Sequence, residues 1–401
     1  MGNTPLFPEL VDLQSEPGIL PWQEIKRLVQ IGAISPDMPD SQIQPASIDL
    51  RLGPKAYRVQ ASFLRGNSTT LLNKVNELLD ATIDLSVPTP QLLEPGVVYI
   101  IPLLESLRLP NNVQGIANPK STTGRLDVFT RLITECGDQF DRVPPGYSGQ
   151  LYVEVSSRTF PIRVREGMKL NQLRFVRGNS LEPLRNGSLR KLDKLSPLLH
   201  DPSSAHESDS GIGDGVEIRV DLEGEDESSV VAYKAKDSPR AIELDRLNHY
   251  DPAEYWERIQ RPPKGRIILS KGGFYLLGSK ARVSVPLTHA AEMLAHDPSM
   301  GEFRVHYAGF FDPGFGYGTA GEIRGTKAVL EVRAYEVPIL LEDNDVVGRL
   351  HYYPMAAVPG KIYGKSIGSS YQEQGLALSK QFKRADRQRT PSPEPQSVAT
   401  A

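Results

Sequence analysis

Short runs in which apolar and polar residues alternate fill much of this chain, and Pro and Gly interrupt them frequently. Ser47-Ile-Asp49-Leu-Arg51-Leu-Gly53 alternates as a strand with one buried face does. Similar short runs fall at residues 97–101, 149–156, 162–164 and 171–175, and the text resumes at 216–220 and 230–233. Residues 21–34 instead space their apolar side chains as an amphipathic helix requires. Many short strands with frequent turn residues predict a mainly β chain, a β-barrel or jelly roll with a few short helices.

The pattern occurs twice. Leu93-Glu-Pro-Gly96-Val-Val-Tyr99 aligns with Leu269-Ser-Lys-Gly272-Gly-Phe-Tyr275, and Pro110 then falls on Pro286 without a gap. Pro119 and Arg125 fall on Pro298 and Arg304 after a three-residue insertion. Val153-Glu154-Val155 matches Leu330-Glu331-Val332, from which Leu173 pairs with Leu350 and Phe175 with Tyr352. Shared spacing over that distance predicts two copies of one β-rich unit. The expected division is a first barrel over 1–195 with its N-terminal helix, a polar Ser/Gly-rich linker over 196–215, and a second barrel over 216–360. A tail over 361–384 and a disordered end over 385–401 follow.

Bulk composition narrows the classes. Hydrophobic content of 39% and charged content of 24% are those of an ordinary globular chain of 401 residues, long enough for two cores. A net charge of −3 gives no reason to expect nucleic acid as a partner. No signal peptide and no membrane-length apolar run are read, so the cytoplasm is the expected compartment. The single cysteine, Cys136, excludes an internal disulfide and a Cys-x-x-Cys zinc pair. Seven histidines show no metal-ligand spacing on a convincing helix, so no zinc and no protein-built metal site are expected.

Three segments hold candidate chemistry. Lys120-Ser121-Thr122-Thr123-Gly124-Arg125 places hydroxyls between two cations, which reads either as an anion cradle or as a turn satisfying its own backbone. The hairpin from Pro144-Pro-Gly146-Tyr147 to Glu154 corresponds to Asp312-Pro-Gly314-Phe315 leading to Glu331. A glutamate inside an apolar strand reads either as a proton shuttle with a raised pKa or as a solvated edge carboxylate. The Gly-rich tail from Tyr363 to Gln374 reads as a closing segment or as disorder.

Together these segments resemble the dCTP deaminase family of the dUTPase-like β-barrel superfamily. Ser47–Gly53 resembles the first family motif, and Lys120–Arg125 resembles its Arg-Ser-Ser-x-x-Arg motif. Pro145-Gly146 through Glu154 and on to Gln172 resembles the nucleoside hairpin and following strand, and Tyr363 with Gln374 keeps the spacing of the nucleotide-contacting tail. The doubled length resembles a long bacterial form with two tandem dUTPase-like barrels. The resemblance implies zinc-free hydrolysis of dCTP to dUTP and ammonia, with a hairpin glutamate as general acid and base. It implies Ser121 and Arg125 beside that glutamate, and Lys120, Ser121, Thr122, Arg125, Tyr147, Asp312, Tyr363 and Gln374 around the nucleotide. Magnesium would ride on the triphosphate. It further implies dTTP or dUTP as effectors and a closed homo-oligomer such as a trimer.

Neither copy carries the whole motif set. The first has Pro144 where the family has an aspartate, kept in the second as Asp312, while the second has Met300 in place of Ser121. A composite site is therefore expected, with Ser121 and Arg125 from one copy and Asp312, Glu331, Tyr363 and Gln374 from the other. Against it, the eight residues from Gly146 to Glu154 are the family's spacing, and the second copy is nine longer. Glu154 and Glu331 thus stand equal as the base. The alternatives are a dUTP diphosphatase, a bifunctional enzyme releasing dUMP, and a non-catalytic nucleotide-binding protein.

Overall fold

A computed structural model describes residues 16–64, 70–135, 137–178, 180–200, 211–226, 228–237, 240–294, 303–305, 309–364 and 375–384. Each half of the chain folds as a pair of antiparallel sheets around its own core. In the first unit the larger sheet runs in the order Leu79–Asp84, Lys55–Val59, Val98–Arg108, Ser148–Ser157, Val128–Thr134. In the second it runs Trp256–Gln260, Val230–Ala235, Phe274–Val283, Thr326–Ala334, Phe303–Val305, the same order in the corresponding strands. The facing sheets match too: Ile48 pairs with Leu173 in one unit, and Val216 with Leu350 in the other.

The repeat extends to single hydrogen bonds. Tyr99 accepts the N–H of Glu94 at 3.1 Å, and Tyr275 accepts that of Ser270 at 2.9 Å. Gly96 and Gly272 turn the chain there at φ of 76° and 70°, in the left-handed region that a side chain disfavours. Both glycines donate to the strand that carries the candidate glutamate, at the carbonyls of Ser157 and Ala334.

The predicted helix is observed as Trp22–Gln30, with Ile25, Leu28 and Val29 buried. The boundary between the units falls earlier than expected. Helix Asn186–Leu195 buries Leu189 and Leu192 in the core of the second unit. The expected linker is partly built into that unit as well: Leu199–His200 pairs with Arg282 and Val283, and Ile212–Gly213 forms a hairpin with Gly215–Arg219. Polar composition hid these short strands because edge strands need little apolar surface. Residues 201–210 of that linker, and the expected disordered end, lie outside the described residues, as do Cys136, Met300 and Gln374.

The second unit also returns to complete the first. Ile242 pairs with Ile162 in a parallel bridge, and Tyr255, Trp256, Phe274 and Leu276 join the first unit's core. Phe382, 2% exposed, packs edge-on to Tyr255 and Trp256 at 5.5 and 6.0 Å. Among the described residues no helix is long and apolar enough to cross a membrane.

Candidate active site

The strand Val113–Pro119 ends in one helical turn, Ser121–Gly124. Its backbone closes locally, with Thr123 and Gly124 donating to the Lys120 carbonyl at 2.8 and 2.9 Å. The hydroxyl-rich segment is thus a turn, as one reading had it, and it also forms one wall of a cleft. Opposite stands the outer face of the second unit's larger sheet. In that sheet Leu330 and Val332 point into the core, so period-two alternation turns Glu331 outward. The cleft holds about 640 Å³ counted to its open mouth, and Ser121, Arg125, Phe311, Phe315, Glu331 and Tyr363 line it.

Glu331 is 5% exposed, and burial pushes its carboxyl up to about 8 despite the opposing pull of the Arg125 guanidinium. Arg125 is 3% exposed and donates to the Ala377 carbonyl at 2.8 Å, so the chain's returning C-terminal segment holds the guanidinium in place. Phe315 stands edge-on to Phe311 at 5.0 Å and packs on Tyr363 at 5.4 Å, which makes one wall aromatic. Tyr363 is held by its own N–H, which donates to the Pro313 carbonyl at 2.9 Å.

Asp312 lies at the seam between the units. It forms an ion pair at 3.1 Å with Arg174, whose side chain is 1% exposed and stacks 4.0 Å over Phe310. Burial raises the Asp312 carboxyl and Arg174 opposes the rise; Asp49 and Lys120 are also within electrostatic reach. Lys120 itself is ion-paired with Asp49. The Thr122 carbonyl accepts the Ser379 hydroxyl at 2.8 Å.

Asp312→Ala is expected to destabilise the chain by about 3–5 kcal/mol, because it strands a fully buried guanidinium. The double variant Arg174→Met with Asp312→Leu should recover most of that loss. Urea unfolding of the three proteins decides it, and an unchanged midpoint for Asp312→Ala would show that the pair does not hold the units together.

Two candidates lie elsewhere. Glu154 is 3% exposed on the outer face of the first unit, with Ser62, Arg131 and Arg158 around it; burial raises its carboxyl. Helix Leu71–Glu77 covers that face through Leu71 and Val75, and Glu135 pins it by accepting from the Leu71 N–H and the Tyr152 hydroxyl. Tyr147 is buried in the first unit, where its hydroxyl donates to the Gln150 carbonyl at 2.6 Å. The structure therefore brings together Ser121, Arg125, Glu331 and Tyr363, with Lys120, Thr122 and Asp312 beside them, and sets Glu154 and Tyr147 apart. The sequence reading missed Arg174, although a charge between the apolar Leu173 and Phe175 was visible in the text.

This arrangement offers a protonatable carboxyl, a guanidinium, a hydroxyl and aromatic walls to a flat polar ring with an anionic end. Comparison with known proteins agrees. Models of the N-terminal and C-terminal domains of 2'-deoxycytidine 5'-triphosphate deaminase match residues 16–179 and 185–382. The crystal structure of 2'-deoxycytidine 5'-triphosphate deaminase from Agrobacterium tumefaciens is similar at 44% identity and a TM-score of 0.78, over 84% of this chain and 99% of that one. The dCTP deaminase of Natronomonas pharaonis is 31% identical over 162 residues, which are 39% of this chain and 80% of that protein. The dUMP-forming dCTP deaminase of Dictyoglomus thermophilum is 28% identical over 166 residues, 40% of this chain and 81% of that one. With both units matched by the two domain models, and with that structure similar along most of the chain, this chain belongs to the 2'-deoxycytidine 5'-triphosphate deaminase family.

Proposed function

We propose that this chain hydrolyses dCTP to dUTP and ammonia in the cleft between the Ser121–Arg125 turn and Glu331. The observation that carries the proposal is Glu331 itself, a buried carboxyl pushed up to about 8 beside Arg125 in an aromatic-walled cleft. A group titrating near neutrality both accepts and returns a proton efficiently. In its ionised form, favoured by Arg125, Glu331 takes a proton from water as the oxygen adds to C4 of cytosine, and passes it to N3. A second proton moves from the new hydroxyl through Glu331 to the amine, the C4–N bond breaks, and ammonia leaves a carbonyl behind. Ser121 holds the attacking water or the developing charge. The reaction runs without zinc, since one cysteine cannot make the pair a zinc deaminase needs.

Phe315 and Tyr363 would stack on the base, and Lys120, Thr122 and Arg125 would face the phosphates. Magnesium would ride on the triphosphate oxygens, hard ligands of the kind it prefers. When bound, it neutralises phosphate charge. A closed homo-oligomer, feedback by dTTP or dUTP, and a cytoplasmic location complete the reading.

Three relatives named dUMP-forming favour a second reading, in which dUTP is hydrolysed onward to dUMP. One incubation separates the two. The EDTA-treated protein is given dCTP and magnesium, and ammonia and nucleotides are followed. Accumulating dUTP supports the first reading, and dUMP with diphosphate supports the second. Ammonia release that disappears after EDTA treatment and returns with zinc would overturn the zinc-free mechanism.

A further inference from the structure

Beyond the cleft, three lysines gather around one carboxylate. The Lys120 N–H donates to the Leu170 carbonyl at 3.0 Å, which brings the neighbouring Lys169 to its side. On the other flank, Ser379 bonds the Thr122 carbonyl and places Lys380 over the same turn. That strap is fixed at its far end, where Gln381 donates to the Leu244 carbonyl at 2.8 Å and Phe382 enters the aromatic core. Lys380 is within electrostatic reach of Lys120, Asp49 and Lys169, and Lys169 of Asp49, Lys120, Arg51 and Glu105.

The charges do not balance. Lys120, Lys169, Lys380 and Arg51 bring four positive charges, and Asp49 and Glu105 bring two negative ones. Asp49 is taken by Lys120 and Glu105 by Arg51. Among the described residues the side-chain amines of Lys169 and Lys380 have no hydrogen-bond or ion-pair partner, and both residues are half-buried. Burial and mutual repulsion lower both amines. A half-buried pair of unneutralised cations next to Ser121 fits an extended anion better than water.

We propose that Lys380 and Lys169 join Lys120 in gripping the terminal phosphates of the nucleotide, and so set the preference for a triphosphate over shorter phosphate chains. As a statement about dCTP this rests on the deaminase reading, but the grip is testable without catalysis. Both lysines act as positioning residues, removed from the reacting C4.

Calorimetric titration of the full chain with inorganic triphosphate tests it. Lys380→Met is expected to weaken binding roughly tenfold or more, the value of a hydrogen bond to a charged group, with a smaller loss for inorganic diphosphate. Lys380→Arg should keep most of the affinity. The melting temperature of ligand-free Lys380→Met should not fall below that of the parent, because a repelled cation has been removed. In turnover, the loss falls on kcat/KM for dCTP and spares deoxycytidine, which has no phosphates to grip. Unchanged triphosphate affinity in Lys380→Met overturns the proposal, as does equal weakening in Lys380→Met and Lys380→Arg with a lowered melting temperature. A parent protein that binds triphosphate through Lys380 but leaves dCTP intact would keep the grip and remove the deaminase reading.

Discussion

Glu331→Gln is expected to lower kcat for dCTP deamination by roughly 10²–10⁴-fold, the usual contribution of a positioned general acid and base. The amide fills the same space among the same neighbours, so the fold should persist. Glu154→Gln should leave turnover close to that of the parent, because helix Leu71–Glu77 covers the face on which Glu154 stands. Ammonia release by the two variants decides between the glutamates, and an inactive Glu154→Gln beside an active Glu331→Gln would reverse the assignment. Stability gives an independent readout. A carboxyl raised from 4.5 to about 8 holds its proton in the folded state after the unfolded chain has released it. Its contribution is therefore complete below about 4.5, declines as pH rises, and is gone above about 8. Glu331→Gln should remove that slope, so its stability relative to the parent rises across this window. A parallel pair of unfolding curves from pH 5 to 8 would contradict the assigned burial.

Arg125→Met should cost roughly 10³-fold in kcat/KM, near the upper value for losing one preorganised charge-stabilising donor. Its second effect is more diagnostic. Without the guanidinium the burial that already raises Glu331 loses its main opponent, so the carboxyl should titrate higher still. The acid limb of the kcat/KM profile should then move to higher pH, because the ionised base appears later. Arg125→Lys should not rescue, since a single ammonium lacks the planar fork that keeps the guanidinium on the Ala377 carbonyl while it lines the cleft with Glu331. An acid limb that stays in place while activity falls would mean that Arg125 serves the phosphates and not the glutamate.

How much of this was readable before the fold was known varies with range. The two-barrel design was legible from local text, because turn positions such as Gly96 and Gly272 and the tyrosines behind them are fixed within a few residues. Motif members missing in each copy pointed to a composite site, and what is observed is that Ser121, Arg125, Glu331 and Tyr363 line one cleft. What separates Glu154 from Glu331 was not legible. Both interrupt an apolar run in the same way, and both are buried on the outer face of a sheet. They differ in what covers them: a helix inserted within the first unit, and the first unit itself over the second. Periodicity says which face a residue takes and nothing about which distant segment arrives there. For the same reason Lys380 drew no notice, since its place depends on Phe382 docking in a core built mostly from residues over a hundred positions earlier.

That docking has a consequence for how the molecule is made. Synthesis runs from the N-terminus, and an early domain ordinarily folds as it emerges. Here the first unit emerges with an unfilled place in its core, reserved for Phe382, and with an Arg125 whose carbonyl partner is residue 377. The earliest-made half must wait for nearly the last described residues before its interior closes and its guanidinium is aimed. A ribosome that stops short of residue 377 therefore releases no partly active chain.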